Sequence, residues 1–529
     1  MNMITPQHQN AGRVRVFDTT LRDGEQAPGY SMSRSQKRRI AHALAELGVD
    51  VIEAGFAQAS DQDFDSIQAI AREVRGPAIC SLARCQQGDI ETAARALDDA
   101  EHRRIHVFIA TSPLHREFKL AMSRQQVIDN AVAGVQLARR YADDVEFSAE
   151  DALRTEPEYL AEVLAAVIEA GASTVNIPDT VGYTTPAEMF ERIAYIKRHV
   201  HNIDRAVISV HCHDDLGMAV ANSLAAVSAG ARQVECTLTG IGERAGNAAL
   251  EEIVMALKTR SELYGVDTGI HTQRLYPTAR LFNTLMGIAM PRNKAVVGEN
   301  AFAHEAGIHQ HGMLKHRGTY EIMRPEDVGF ERSQLVLGKH SGRHALRERL
   351  DSLGHHPDEA GFETIFTGFK TLADKKREVY DGDLEALANG IDPEATGPWA
   401  IEQWHASSHN GGTASASVRL RHEQGFEASE ASIGDGPVHA LLSAFERATG
   451  HALTIRDFQI HSLSNGGDAQ GQASLIIDCQ GREVRGNGVS TDIVEAAALA
   501  ALEAVNRIER LQASEPKTKP AGVSAGAGS

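Results

Sequence analysis

The strongest constraint on the fold is a series of eight short, β-rich apolar runs that recur every 26 to 40 residues. Amphipathic, alanine-rich stretches with helical periodicity separate the runs. Eight β-α units in one uninterrupted series fit a closed (β/α)8 TIM barrel better than an open doubly wound sheet, which usually has about five or six strands. The runs are VRVF at 14, DVIEA at 50, AICSL at 78, IHVFI at 105, VEFSA at 145, STVNI at 173, VISVH at 207 and QVECT at 233.

Polar residues follow these runs at one end, which in a TIM barrel is the end that carries the active site. A random scatter of polar residues would not favour the same end of every strand. The residues at this end are Arg22, Asp23, Glu53, Arg84, Thr111, Glu150, Asp151, Asp179, Thr180, His211, His213, Glu243 and Asn247.

The chain has 529 residues, more than one compact core usually holds, so several domains are expected. Polar, glycine-containing segments with helical stretches follow the barrel, and alternating strands begin after DPEATGPW at 392 to 399. The prediction is a barrel at 12–268, a linker with helical subdomains at 269–395, an α+β regulatory domain at 396–511 and a disordered tail at 512–529.

The C-terminal domain contains an internal repeat, since a segment near 427 resembles one near 483. Both segments predict a strand, a Gly-X-Gly turn and a helix, which suggests a pseudo-twofold domain. Glycine turns at helix N-termini let backbone donors approach a small ligand, so Gly436 and Gly488 are candidate regulatory residues. The alternative is an interaction module without a regulatory role.

Composition excludes several classes of protein. The chain is 42% hydrophobic and 23% charged, and no apolar run approaches the roughly 18 residues of a membrane span. The formal charge of -18 argues against a nucleic-acid or membrane partner. The N-terminal residues have no apolar segment typical of a secretion signal. Five scattered cysteines suit a reducing compartment, so a cytoplasmic location is expected.

His211 and His213 are two residues apart at the end of the seventh run, so both side chains point to the same face of the strand. A His-X-His pair alone is weak evidence for a metal, but its position in the barrel mouth favours a divalent-ion site. Asp23 follows the first run, next to the eighth strand of a closed barrel, and could be a third ligand. The alternatives are a turn residue for Asp23 and a surface arginine for Arg22.

Four long motifs occur in the chain: FDTTLRDGEQ at 17, NIPDTVGY at 176, HCHDDLGMAVANS at 211 and GIGERAGNAALEE at 240. Further motifs are IHVFIATSPLHREFKL, FSAEDALRTE, NKAVVGENAFAHEAGIHQHGML and the C-terminal glycine turns, so the motifs are distributed over nearly the whole chain. The chain thereby resembles the alpha-isopropylmalate synthase and homocitrate synthase family, whose members condense acetyl-CoA with a 2-oxo acid on a metal-dependent TIM barrel.

The resemblance implies a role for each matching residue. His304, His311 and His316 lie close to His309 in the sequence, so the choice of His309 as the base rests on the motif match alone. The implied metal ligands are Asp23, His211, His213 and Asn247. The implied catalytic residues are Arg22 for the enolate, Glu243 to orient Arg22, Glu150, and His309 with Tyr320 for proton transfer. His106 and Thr180 match positions around the 2-oxo acid. A strand that simply exposes His106 remains an alternative.

The resemblance also implies substrates and cofactors. The expected acceptor is 3-methyl-2-oxobutanoate, which gives 2-isopropylmalate and CoA in the first step of leucine synthesis. One alternative is pyruvate, the acceptor of citramalate synthases. Homocitrate synthase is a less favoured alternative, because that family usually lacks a large C-terminal domain. Aldolases and biotin-dependent decarboxylases share the barrel, but they lack the GERAGN and GIHQHG segments. The implied metal is Mn²⁺, with Mg²⁺ and Zn²⁺ as alternatives and K⁺ as an activator. Leucine is the expected inhibitor, and a homodimer, or alternatively a homotetramer, is the expected assembly.

Overall fold

The fold is described from a computed structural model of the 529-residue chain. The structure describes residues 12–304, 316–330, 334–335, 337, 341–353, 355–375, 379, 384, 387–388, 397–462, 471–479 and 482–514. Across these residues, no helix combines the length and the apolar character needed to cross a membrane. The chain divides into two compact units, which are described separately.

Eight parallel strands form a closed barrel, as the sequence predicts. The first strand pairs with both the second and the eighth, which closes the sheet. The strands are β1 (Arg15–Asp18), β2 (Val51–Glu53), β3 (Ala78–Arg84), β4 (Arg103–Ala110), β5 (Asp144–Glu150), β6 (Thr174–Asp179), β7 (Val207–Cys212) and β8 (Gln233–Cys236).

A helix follows each barrel strand, and local sequence signals set the helix ends. Ser33 caps the first helix with Gln36 in a capping box, and Gly48 ends it at a φ of 90°. Thr185 and Glu188 form the same box at the sixth helix. The helices are α1 (Arg34–Leu47), α2 (Asp61–Glu73), α3 (Gln87–Ala96), α4 (Arg124–Ala138), α5 (Pro157–Ala170), α6 (Pro186–His199), α7 (Ala219–Ala229) and α8 (Leu250–Thr259).

The two faces of the barrel strands differ in polarity. On β5, Val145, Phe147 and Ala149 belong to the hydrophobic core of the barrel unit. Glu146 and Ser148 alternate with them and hydrogen-bond to side chains of other barrel strands. The described part of the barrel interior is therefore held together partly by buried polar contacts.

The compact unit that contains the barrel extends beyond the predicted boundary at 268, to Ala303, and includes Glu321–Ser333. Its core includes Phe282 and Val328, which lie on helices after the barrel. The helices of this unit that follow the barrel are α9 (Ser261–Tyr264), α10 (Leu275–Met286) and α11 (Pro325–Val328). Two-residue strands lie at Gly12–Arg13, Val266–Asp267, Ala303–His304 and Gln334–Leu335, and short 3-10 or π segments at Gly24–Gln26, His115–Leu120, Ala152–Arg154, Ile203–Arg205, Leu238–Gly240, Thr272–Arg274, Glu299–Phe302 and Arg317–Thr319.

The second unit contains a helical part with a core of its own. Helices α12 (Arg343–Ser352) and α13 (Glu359–Lys375) contribute Leu346, Phe362 and Phe369 to this core, and all three are fully buried. The helical subdomain that the sequence predicts after the barrel is present.

The C-terminal part contains two similar halves that share one hydrophobic core. Each half is a three-stranded antiparallel sheet followed by a helix, so the predicted pseudo-twofold repeat is confirmed. The first half comprises β9 (Trp399–Ser407), β10 (Ala414–His422), β11 (Glu427–Gly434) and α14 (Pro437–Thr449), and the second comprises β12 (Thr454–Ser462), β13 (Gly471–Cys479), β14 (Arg482–Ser490) and α15 (Ile493–Ser514).

The two glycine pairs of the repeat do not occupy equivalent positions. Gly436 is the N-cap of α14, in the predicted turn between strand and helix. Gly488 instead lies inside β14, so the predicted second glycine turn is wrong. A Cβ atom added at Gly488 would lie 2.0 Å from the Ala496 carbonyl oxygen. This glycine is therefore needed for the close packing of β14 against α15.

Candidate active site

All four predicted metal ligands lie close together at the C-terminal end of the barrel. Asp23 follows β1, His211 is on β7, and His213 forms a backbone bridge with Asn247 after β8. All four are buried. The two Nε2 atoms of His211 and His213 are 3.1 Å apart, and the Asp23 Oδ2 atom is 4.0 Å from the Nε2 atom of His211. One donor atom from each of these three residues lies within 4.8 Å of the others.

The surroundings favour the protonation states that a metal site needs. Burial lowers the pKa of both His211 and His213 to about 4. Burial alone would raise the pKa of Asp23, but Arg22 and the two histidines hold it well below its usual range. Neutral imidazoles and an ionised carboxylate are the forms that bind a metal ion.

The remaining contacts of the cluster also fit a divalent ion. The Nδ2 atom of Asn247 donates to the Oδ1 atom of Asp23 at 2.7 Å. The Oδ1 atom of Asn247 is buried and has no hydrogen-bond partner among the described residues. Two imidazoles, a carboxylate and a carboxamide oxygen form a mixed nitrogen and oxygen donor set that suits a catalytic divalent ion.

Arg22 lies beside this cluster and is held by two carboxylates. Its NH1 atom donates to the Oδ2 atom of Asp23, and its Nε atom donates to the Oε2 atom of Glu53, each at 2.6 Å. The Thr19 hydroxyl donates to the same Glu53 oxygen at 2.7 Å. Burial alone would raise the pKa of Glu53, but Arg22 and His106 lower it. Arg22 is therefore fixed in one orientation and is not a surface arginine.

His106 is buried, so the alternative of an exposed strand residue is wrong. Its Nδ1 atom lies 2.8 Å from Glu53 Oε1, and its Nε2 atom lies 2.6 Å from the Ser148 hydroxyl. The Asn176 carboxamide donates to the same hydroxyl at 2.8 Å. Glu53 thus joins Arg22 and His106 in one network at the barrel mouth.

Glu150 and Thr180 lie in another part of the barrel mouth, at the ends of β5 and β6. The Glu150 carboxylate forms an ion pair with Lys119, and the Thr180 hydroxyl accepts from the Asp151 backbone N–H at 2.9 Å. Asp151 adopts a positive φ of 64°, and Arg244 donates to the Thr180 carbonyl oxygen. Hydrogen bonds between side chains and the backbone therefore connect the ends of β5 and β6 to the loop that carries Asn247.

Glu243 is exposed, and its carboxylate lies 4.0 Å from Arg244. The carboxylates that contact Arg22 are those of Glu53 and Asp23, rather than that of Glu243 as the sequence predicts. His309 and His311 lie outside the described residues. Tyr320 is described, belongs to the second unit and is exposed.

Two buried carboxylates in the barrel interior were not assigned a role from the sequence. Glu53 contacts Arg22, and Glu235 on β8 contacts the Nδ1 atom of His211 at 2.8 Å. The available signal is an acidic residue beside apolar residues within a predicted strand, in VIE and in QVEC. A buried acid in a strand needs a partner, which marks both residues as members of a polar site.

The chain is similar over almost its whole length to curated relatives. A protein from Rhodopirellula baltica, named 2-isopropylmalate synthase, is 52% identical over 97% of this chain and 98% of its own length. A protein of the same name from Xanthomonas oryzae pv. oryzae is 53% identical over 96% of this chain and 97% of its own length. The chain belongs to the 2-isopropylmalate synthase family.

Three domain families match successive parts of this family member. Residues 13–282 match the HMGL-like family, and residues 296–377 match the family described as homocitrate synthase post-HMGL domain-like. Residues 378–509 match the LeuA allosteric (dimerisation) domain. The resemblance drawn from the motifs is confirmed, and the relatives favour 2-isopropylmalate synthase over citramalate synthase.

Proposed function

We propose that the chain condenses acetyl-CoA with 3-methyl-2-oxobutanoate and water to give 2-isopropylmalate and CoA. The observation that carries this proposal is the buried cluster of Asp23, His211 and His213 with Arg22 beside it, in a chain of this family. The cluster combines a place for a divalent ion, which can polarise a keto group, with a fixed cation, which can stabilise an enolate.

The first chemical demand is the removal of a methyl proton from acetyl-CoA. The product of this step is an enolate whose negative charge must be stabilised. Arg22 meets this demand because Glu53 and Asp23 hold its guanidinium in place before the reaction. His309, assisted by Tyr320, is the proposed base, an assignment that rests on the motif match.

The second demand is a polarised and correctly oriented 2-oxo acid. Asp23, His211, His213 and Asn247 would hold a divalent ion, which would supply Lewis-acid polarisation of the keto group. His106, Glu150 and Thr180 are the proposed contacts of the 2-oxo acid, and their fixed partners support a preorganised pocket. The enolate carbon then attacks the keto carbon, and hydrolysis of the thioester releases CoA.

Mn²⁺ is the proposed metal, with Mg²⁺ and Zn²⁺ as alternatives and K⁺ as an activator. The mixed nitrogen and oxygen donors support a transition metal more than Mg²⁺, which prefers oxygen ligands. All five cysteines are free, which supports a reducing compartment such as the cytoplasm.

The C-terminal domain is the proposed site of inhibition by leucine and of assembly into a dimer or tetramer. Its match to a domain family described as allosteric and dimerising supports both proposals. Titration calorimetry of the full-length protein with leucine, isoleucine and valine tests the ligand. A heat of binding is expected for leucine but not for isoleucine or valine. The absence of a heat of binding for leucine would contradict a leucine site.

The substrate is tested by steady-state assay of CoA release against a panel of 2-oxo acids. The highest kcat/KM is expected for 3-methyl-2-oxobutanoate. A higher value for pyruvate would replace the proposal with a citramalate synthase activity. The Asp23→Ala variant is the control for background hydrolysis of acetyl-CoA.

A further inference from the structure

Glu235 makes the contact that orients one of the two histidines of the cluster. Glu235 on β8 lies directly opposite His211 on β7 in the parallel register. Its Oε2 atom is 2.8 Å from the Nδ1 atom of His211, and both residues are buried. A carboxylate at this position accepts the Nδ1 proton, which leaves the Nε2 lone pair of His211 directed toward His213 and Asp23.

The two histidines differ in this respect. The Nδ1 atom of His213 is buried and has no hydrogen-bond partner among the described residues. The contact from Glu235 therefore determines the tautomer and ring orientation of His211, whereas no described side chain does the same for His213. The geometry of the pair thus depends on one carboxylate.

We propose that Glu235 is a positioning residue that holds His211 in the orientation needed to bind a divalent ion. This inference rests on the proposed metal site. A ligand histidine that donates its second ring N–H to a carboxylate is a better and more rigidly placed donor, and loss of such a partner typically weakens metal binding by about 10- to 100-fold.

A purely structural role for Glu235 is the competing explanation, because it belongs to a buried polar layer of the barrel. Glu146 offers a matched control. It is also fully buried, on β5; its carboxylate accepts from Arg104 and Gln233 and lies against Glu235, but it does not contact His211 or His213. Loss of the charge at Glu146 should therefore disturb the polar layer next to Glu235 while leaving the contact between Glu235 and His211 in place.

The experiment is a calorimetric titration of metal-free, full-length protein with Mn²⁺, for wild type, Glu235→Gln and Glu146→Gln. Circular dichroism and the thermal midpoint of the metal-free proteins verify folding. The expected result is a dissociation constant raised about 10- to 100-fold in Glu235→Gln and within about threefold of wild type in Glu146→Gln. The absorption spectrum of bound Co²⁺ should also change in Glu235→Gln alone, because the His211 ring is no longer fixed.

An unchanged Mn²⁺ affinity in folded Glu235→Gln would overturn the inference, and so would an equal loss in both variants. If Glu235→Gln does not fold, Glu235→Asp serves in its place, since the shorter acid keeps the charge but withdraws it from Nδ1, and the same weakening is expected. The Asp23→Ala variant separates the two proposals: stoichiometric Mn²⁺ binding in that variant would show that the metal site itself is misassigned.

Discussion

At the scale of single residues, the arrangement of the candidate ligands leads to a direct prediction. Asp23→Ala, His211→Ala and His213→Ala should each abolish condensation and lower the metal content, because a site with so few protein ligands cannot lose a donor without losing affinity. Metal content after dialysis, measured by atomic spectroscopy, and CoA release are the readouts. Stoichiometric metal in all three variants would show that the ion binds elsewhere.

Asp18 provides a second test because its pKa is shifted in a known direction. Burial raises the pKa of Asp18 from its ordinary value of 3.8 to about 7, although the Thr20 N–H and hydroxyl groups partly oppose this shift. The folded protein therefore keeps a proton on Asp18 at pH values where the unfolded chain has lost it. Stability contributed by this group is present at low pH and is lost as the pH rises from about 4 to about 7.

Asp18→Asn mimics the protonated form and removes this dependence. Asparagine can accept from the Thr20 N–H and donate to the Thr20 hydroxyl, which replaces both contacts of Asp18. The thermal midpoint of the variant, relative to wild type, should rise by on the order of a few degrees between pH 5 and pH 8. A difference that does not vary with pH would show that Asp18 is already ionised in the folded protein.

The residue scale also shows where prediction from sequence ends. The spacing of His211 and His213 on one strand places both side chains on the same face, and this pattern can be read directly from the sequence. The pairing of Glu235 with His211 depends on the register between β7 and β8, and the contact of Glu53 with Arg22 depends on the pairing of β1 with β2. Neither contact is encoded in local spacing.

At the scale of secondary-structure elements, the eight barrel strands were predictable because each combines an apolar run with a following helix signal. The glycine repeat was less predictable. Gly-X-Gly occurs in both halves, but in the first half its second glycine is the N-cap of α14, and in the second half both glycines lie within β14. The same Gly-X-Gly motif forms a turn in the first half, whereas in the second half it allows a strand to approach α15 closely. Only the packing of the folded domain distinguishes the two roles.

This difference predicts opposite results for one substitution at two positions. Serine at Gly436 should be tolerated, because Gly436 has an extended backbone, no atom lies within 4 Å of an added Cβ, and serine is a good N-cap residue. Gly488→Ser should destabilise the C-terminal domain by about 1–3 kcal/mol or more, since the added Cβ would overlap the α15 backbone.

Tryptophan fluorescence during urea unfolding can measure both effects. The chain has two tryptophans, Trp399 and Trp404, and both lie on β9, so the signal reports on the C-terminal domain alone. Equal urea midpoints for the two variants would contradict the packing argument. If Gly488→Ser is destabilised as expected, only Gly436→Ser is a clean test of the proposed leucine site, because loss of inhibition in Gly488→Ser would follow from unfolding of the domain.

At the scale of the whole molecule, the proposed metal ligands and the proposed base come from two distant parts of the sequence. The proposed metal ligands lie in the barrel unit, and Tyr320 lies in the second unit. The sequence motifs indicate the same division, since the ligands precede residue 250 and the proposed base follows residue 300. The sequence does not reveal whether one chain or two chains supply both sets.

We expect that a homodimer joins the His309 segment of one chain to the barrel of its partner. Two inactive variants, Asp23→Ala and His309→Ala, should then complement each other, because a mixed dimer contains one intact barrel together with one intact His309 from the other chain. After subunit exchange, random mixing of equal amounts should restore roughly a quarter of wild-type activity, since half of the dimers are mixed and each mixed dimer has one complete site. The measurement is CoA release after exchange is verified with two different affinity tags. Absence of recovery in verified mixed dimers would mean that each barrel is completed by its own chain. Recovery of activity without any dimer in light scattering would show that residual activity of one variant, rather than assembly, explains the signal.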